Sequence, residues 1–340
     1  MSTDSENEVG RAPLLAIVAL PQGLASAVLG MMDAINLANL FHELGGNAGP
    51  RIDARIVSQT DLEVETFGGR RISCDALIED LDEVDAIVVA PVVSDLTTVL
   101  AQTRPTIEWL VRSWRSGVTM TGVCTGTVLL AEAGILDDLV ATTNPGLAAL
   151  FDERYPKVRL DPTLKLADEG RVITAGATTS SFDLVIELIG RFLGPETAIR
   201  TAAELLTDPM PQSQKPYMLS RKRIGHGDLD VQRVQARIER DYAESLDPTL
   251  LAAEAAMSPR TLARRFRGAT GESLLEYLRN TRIEAAMRRL AATEETIGEI
   301  TEGCGYVDVR SFRRTFRELT GLSPREYRTR FSYARRSWAV

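Results

Sequence analysis

Over about the first two hundred residues, short apolar runs alternate with longer segments whose apolar positions recur at helical spacing. LLAIVAL (14–20), RIDARIVS (51–58), DAIVVA (85–90), VTMTGV (118–123) and RVITAG (171–176) are the β-rich runs, and 25–40, 105–116, 126–134 and 181–193 carry the helical period. Strands that are apolar at successive positions are buried on both faces, the condition of a mainly parallel sheet covered by helices. The pattern predicts an α/β domain over 12–206. It stops near 207–228, where TDPMPQSQKPYMLSRKRIGHGD has no sustained period and reads as a linker. From 229 to 331 the pattern is helical throughout, with tails expected at 1–11 and 332–340.

The helical third contains a repeat at an offset of fifty residues, found by laying 258–279 over 308–329. Arg260/Arg310, Arg264/Arg314, Phe266/Phe316, Arg267/Arg317, Thr270/Thr320, Gly271/Gly321, Ser273/Ser323, Glu276/Glu326 and Tyr277/Tyr327 coincide, with Thr261 facing Ser311 and Ser258 facing Asp308. Each copy reads as a helix, a tight turn and a second helix opened by an N-cap. Asp247-Pro248 and Ser258-Pro259 punctuate the first copy; in the second, Gly303 and Gly305 are expected to allow the turn and Asp308 to cap the helix. The second helices are amphipathic. Val309, Phe312, Phe316 and Leu319 form one stripe, while Arg310, Arg313, Arg314 and Arg317 line the other face; Leu262 and Phe266 lie opposite Arg260, Arg264 and Arg267. Arg265 joins the candidate contacts, as do Thr261 and Ser311. A row of arginines is usually a solvated face. Two equivalent helices that both carry one are instead what two successive major-groove contacts require, with arginine reading guanine or clamping phosphate.

Charge supports this division. The net charge is −8, yet residues 229–340 hold 20 Arg, no Lys and 16 Asp+Glu (net +4), while 1–228 hold 19 Lys+Arg and 31 Asp+Glu (net −12). A basic segment on an acidic protein suits one polyanion-binding face. No apolar stretch approaches the roughly 20 residues of a membrane span. MSTDSENEVG is polar and acidic, unlike a secretory leader, so a cytoplasmic, nucleoid-associated protein is expected. Cys74, Cys124 and Cys304 are odd in number and form no CxxC pair, which argues against a disulfide framework or a structural zinc; no metal or cofactor is expected.

Residues 230–331, through MSPRTLARRF and GLSPREYR, resemble the AraC/XylS-type DNA-binding domain: seven helices, with two helix-turn-helix units joined by a long helix at 273–291. Thr301 and Tyr306 depart from the family's usual alanine and phenylalanine. The resemblance implies binding to double-stranded DNA at tandem promoter half-sites and activation through RNA polymerase. Residues 12–205, through GVCTGTVLLAEAGILDD and ATTN, are similar to the ThiJ/PfpI, class I glutamine-amidotransferase-like fold, which implies a flavodoxin-like three-layer sheet. The two halves together resemble the GlxA-type subgroup of AraC regulators. Self-association as a dimer, and a small nitrogen-containing effector such as a betaine or an amino acid, are what that resemblance implies.

Gly122-Val123-Cys124-Thr125-Gly126 has the form of a nucleophile elbow, with Cys124 at a helix N-terminus whose dipole would lower its pKa. A thiolate nucleophile needs a base, and the chain has only His42, expected near the surface at a helix end, and His226 in the linker. Where hydrolytic relatives place their histidine, the resemblance puts Asn144. The segment Gly23-Leu24-Ala25-Ser26, matching their acidic position, holds no carboxylate. The expectation is a pseudoenzyme, with Cys124, Thr125, Asn144, Pro91, Val92 and Thr178 as candidate ligand contacts. A small residue that merely fits the turn, a redox-sensing thiol and a thiol-dependent amidohydrolase or hydratase remain as alternative roles for Cys124. An Asn before Pro145 is equally a common turn residue.

Overall fold

Strand β1 (Leu14–Val18) is buried at every position and lies between β2 (Asp53–Ser58) and β6 (Ala86–Val89), parallel to both. Around it the computed structural model arranges the chain as two compact units, 1–214 and 215–340. It describes residues 11–47, 49–81, 83–208, 213–218 and 226–332, so the expected tails and part of the expected linker lie outside the described residues.

The first unit continues from β1 through α1 (Ala25–Leu44), β2, the hairpin β3 (Glu63–Glu65) and β4 (Arg71–Ser73), and β5 (Ala76–Leu77). After β6 come α2 (Leu96–Gln102), α3 (Arg104–Arg115), β7 (Thr119–Val123) and α4 (Gly126–Glu132). The short strands β8 (Val140–Ala141) and β9 (Arg159–Leu160) flank α5 (Ala148–Arg154), and β10 (Leu166–Asp168), β11 (Val172–Ala175), α6 (Ser180–Leu193) and α7 (Pro195–Glu204) complete the unit. The main sheet has the order β10-β11-β7-β6-β1-β2-β5, and only the β10–β11 pair is antiparallel. Because strand side chains alternate in direction, Leu15 and Ile17 join the core under α1, α6 and α7. Ala16 and Val18 join the core under α2 to α5. Helices on both faces of a mostly parallel sheet make the three-layer α/β fold that the apolar runs predict.

The second unit is all helical among its described residues: α8 (Leu229–Asp241), α9 (Pro248–Glu254), α10 (Pro259–Thr270), α11 (Leu274–Ala292), α12 (Ile297–Gly303), α13 (Val309–Thr320) and α14 (Pro324–Phe331). Every one starts on a side-chain cap: Asp228, Asp247, Ser258, Ser273, Thr296, Asp308 and Ser323 each accept from a backbone N–H one turn on. Each cap is worth about 1 kcal/mol. Three are reciprocal boxes, with Glu276, Glu299 and Glu326 reaching back.

Two small cores share α11. Leu274, Tyr277 and Leu278 at its start pack with Val234, Leu251, Leu262 and Phe266; Ile283, Met287 and Leu290 further along pack with Ile300, Phe312, Phe316 and Tyr327. The repeat is visible in three dimensions. Phe266 meets Tyr277 edge-on at 5.3 Å and 83°, and Phe316 meets Tyr327 at 5.5 Å and 82°. Gly271 and Gly321 end α10 and α13 at φ +76° and +74°. The turns differ. The first holds four residues between α9 and α10 with Ala256 at φ +53°, and the second holds five between α12 and α13 with Gly305 at φ +77°.

Candidate nucleic-acid interface and cysteine elbow

Several arginines of the second unit are held by partners within it. Arg237 bonds Asp241, Arg240 bonds Asp241, Arg289 bonds Glu295, and Arg282 donates to the carbonyls of Tyr242 (2.7 Å) and Glu244 (2.9 Å). The first two pairs lie within α8, from which Arg237 also reaches Glu254 of α9, while Arg282 and Arg289 tie α11 to the segment after α8 and to the turn before α12. Arg260, Arg264 and Arg267 on α10 and Arg310, Arg313, Arg314 and Arg317 on α13 are exposed and enter no ion pair among the described residues. Spacing of three and four keeps each set on one face, away from the buried Leu262, Phe266, Phe312 and Phe316. At the helix starts Ser258 and Asp308 are spent as caps. Thr261 Oγ1 lies 2.9 Å from Ser258 Oγ, and both Thr261 and Ser311 are half-buried.

Two expectations about this region need correction. Arg265 does not stand with the free arginines: its Nε and Nη2 donate to Asp228 at 2.9 and 2.6 Å, and Nη2 reaches Asp230 at 3.1 Å. It stands one position round the helix from Arg264, which turns it toward the start of α8. Gly303 does not make the turn either. It is the last residue of α12, and a Cβ there would lie 2.0 Å from Arg289 Nη1. Its smallness admits the Arg289–Glu295 pair, whose guanidinium holds the Glu295 carboxyl down to about 2. Gly305 alone supplies the turn's positive φ.

In the first unit, β7 runs directly into the elbow. Cys124 has φ +54°, unusual for a side-chain-bearing residue, and its N–H donates to Ala175 O at 2.8 Å. Gly126 is a steric necessity, since a Cβ there would lie 2.2 Å from Val89 O, and Gly122 is closely packed, since one there would lie 3.0 Å from Thr127 N. The expected lowering of the Cys124 pKa is overturned. The residue is 8% exposed, and burial pushes its thiol above the ordinary value although Thr125 and Asn144 donate hydrogen bonds to it. His42 is also not a surface residue; it is buried on α1, with Nδ1 3.5 Å from Thr197 Oγ1 on α7. His226 bonds Gln235 at 2.8 Å, within the second unit.

The candidate ligand contacts meet at the strand ends, but several are already engaged. Thr125 Oγ1 accepts from Val92 N–H (2.7 Å) and donates to Val92 O (2.8 Å), and the Val92 side chain belongs to the core. Pro91 is buried and its carbonyl accepts from Leu24 N–H at 3.0 Å. Asn144 Oδ1 accepts from Gly146 N–H at 2.9 Å, the turn role open to an Asn before Pro, while its side chain also bonds Cys124. Thr178 is half-buried beyond β11.

One group was missed altogether. Gln214, 5% exposed, places its carboxamide against Thr142, Thr143 and Gly176, next to the elbow through the 2.6 Å bond from Thr143 Oγ1 to Cys124 O. Its setting in a Pro/Gln/Ser-rich stretch gave no sign of burial.

The profile of the DJ-1/PfpI family matches residues 28–191, and that of a helix-turn-helix domain matches 251–330. The HTH-type transcriptional regulator CdhR of Pseudomonas aeruginosa is 26% identical over 313 residues, covering 89% of this chain and 88% of that protein. The HTH-type transcriptional regulator GlxA of Rhizobium meliloti is 28% identical over 232 residues, 68% of this chain and 71% of that one. A crystal structure of a putative transcriptional regulator protein from Vibrio parahaemolyticus superposes with a TM-score of 0.52 at 17% identity, covering 57% of this chain and all of that one; it shares the fold of the first unit. Capped tandem helices with outward arginines, on a chain aligned with such regulators over most of its length, define a DNA-binding transcriptional regulator. More narrowly, the protein joins a DJ-1/PfpI domain to an AraC-type helix-turn-helix domain.

Proposed function

We propose that α10 and α13 enter successive major grooves at paired promoter half-sites, that a small metabolite bound by the first unit modulates this binding, and that the protein acts as a dimer that recruits RNA polymerase in the cytoplasm. The carrying observation is that two equivalent helix faces present seven exposed arginines, unpaired among the described residues, while Arg265 beside them is held by Asp228 and Asp230. Helix α11 sets their separation. Its 19 residues span roughly 28 Å at 1.5 Å per residue, comparable with one helical turn of DNA. Leu29, Leu40 and Leu44 on α1 and Ile199 on α7 are exposed apolar residues, which supports self-association of the first unit. Among the described residues no helix is long and apolar enough to cross a membrane.

The Cys124 elbow is read as chemically silent: a buried thiol with a raised pKa stands beside an asparagine, and the two histidines of the chain are engaged elsewhere, His42 with Thr197 and His226 with Gln235. Binding of labelled duplexes carrying the mapped half-sites tests the interface. Arg314→Ala is expected to weaken specific binding by about 1–3 kcal/mol if it reads a base, with Arg264→Ala doing so at the other half-site. Arg265→Ala should leave the footprint unchanged. Full affinity in both Arg264→Ala and Arg314→Ala would remove these helices from the DNA.

A further inference from the structure

We propose that the pocket filled by Gln214 is a subsite for a terminal nitrogen donor, and that the effector carries a primary carboxamide or primary ammonium group that takes this place. The inference rests on the effector-sensing reading and deepens it. Gln214 Nε2 is met by three oxygens: Pro162 O at 2.7 Å, Thr143 O at 3.0 Å and Thr142 Oγ1 at 3.3 Å. All three act as acceptors. Two are carbonyls, and the Thr142 hydroxyl hydrogen is committed to Leu164 O at 2.7 Å. The site therefore reads N–H and rejects an oxygen, which fixes the orientation of the amide.

Three acceptors face the two hydrogens of a carboxamide, so a primary ammonium, with three, satisfies the set more completely. A quaternary ammonium has no N–H and satisfies none, which turns this subsite away from a betaine. The amide's other end is accommodated by a missing side chain: a Cβ on Gly176 would sit 2.4 Å from Gln214 Oε1. The walls are built by the fold. Thr142 N–H donates to Thr174 Oγ1 on β11 at 2.8 Å, Thr143 is held on the elbow carbonyl, and Gln214 N–H donates to Thr163 O at 2.9 Å. Gln214 is thus an internal stand-in for a ligand. Since Lys215, the next residue, opens the second unit, a ligand that expels Gln214 releases the chain where the two units join.

Chemical rescue in the full-length protein tests this. Gln214→Ala removes a fragment the size of acetamide, and its melting temperature should fall by about 4 °C. Acetamide or methylammonium should bind the variant saturably in ligand-observed NMR and restore the melt, whereas acetate and tetramethylammonium should not. Equal binding of acetamide and acetate, or none up to roughly 100 mM, where so small a ligand should still register, overturns the subsite. Gln214→Glu keeps the shape and replaces the donor by an oxygen, so it should be less stable than wild type and increasingly so as pH rises through the carboxyl titration. Unchanged stability at all pH would likewise overturn it. DNA affinity measured on the same samples separates the two ideas: rescue without any change in DNA binding keeps the subsite and removes effector control, whereas failed discrimination removes the subsite alone.

Discussion

At Cys124 two opposing terms act on one thiol. A helix N-terminus stabilises a thiolate, but burial of the sulfur between strand ends penalises the charged form more, and the balance lies above the ordinary cysteine value. The thiol is therefore the species present at neutral pH. Alkylation followed by peptide mapping should show Cys124 labelling more slowly than a free cysteine at pH 7, with a rate that keeps climbing as pH rises past the normal thiol range. Rapid labelling that is flat around neutrality would restore a nucleophile or a redox sensor. Much of the elbow's sequence form is explained without chemistry, because a side chain on Gly126 would meet Val89 O at 2.2 Å and one on Gly122 would crowd Thr127 at 3.0 Å. The motif was legible and its geometry followed; the charge state was not, because desolvation depends on what the fold packs around the sulfur, β11 included. Arg265 teaches the same lesson, since its partners lie at 228 and 230, on another helix.

The helix-turn-helix elements are the part of the molecule most open to reading from sequence. Caps, αL glycines and aromatic pairs are local signals, and a repeat states each of them twice. What the pattern did not separate is the work of individual glycines. Gly271 and Gly305 have nearly the same φ, +76° and +77°, yet nothing lies within 4 Å of a Cβ on Gly271, while one on Gly305 would sit 2.6 Å from Ala243 O and 2.9 Å from Arg282 Nη2. Gly271→Ala should therefore cost about 1 kcal/mol, the conformational term alone. Gly305→Ala adds a backbone clash and should cost about 2–4 kcal/mol. Thermal or urea unfolding of the two variants checks the order; equal losses would show that the α12–α13 turn yields to the extra atom. The smaller strands β3, β4, β5, β8, β9 and β10 escaped sequence reading for a related reason: each is two or three residues long, too short for a period of two to register.

Over the whole chain, the separation of charge into an acidic first part and an arginine-only last part has a consequence that salt titration can measure. Arginines that clamp phosphate contribute through released counterions, each flattening log K against log salt by about 0.9 when removed, whereas one that reads a base changes affinity with little change of slope. The seven arginines on the α10 and α13 faces can thus be sorted singly by alanine substitution, and the count depends on assembly. If one protomer engages the site, losing a phosphate contact should flatten the slope by about 0.9; if a dimer engages two equivalent half-sites, the same substitution removes two contacts and should flatten it by about 1.8. Arg267→Ala and Arg317→Ala, in the last turns of α10 and α13, are the substitutions to titrate first, because the early turns of a recognition helix lie nearest the bases and the last turns nearest the backbone. A paired change near 1.8 would establish the dimer on DNA. A change near 0.9 would leave a single protomer with its two helix-turn-helix units spanning the site, and no change for either would assign these two arginines to solvent.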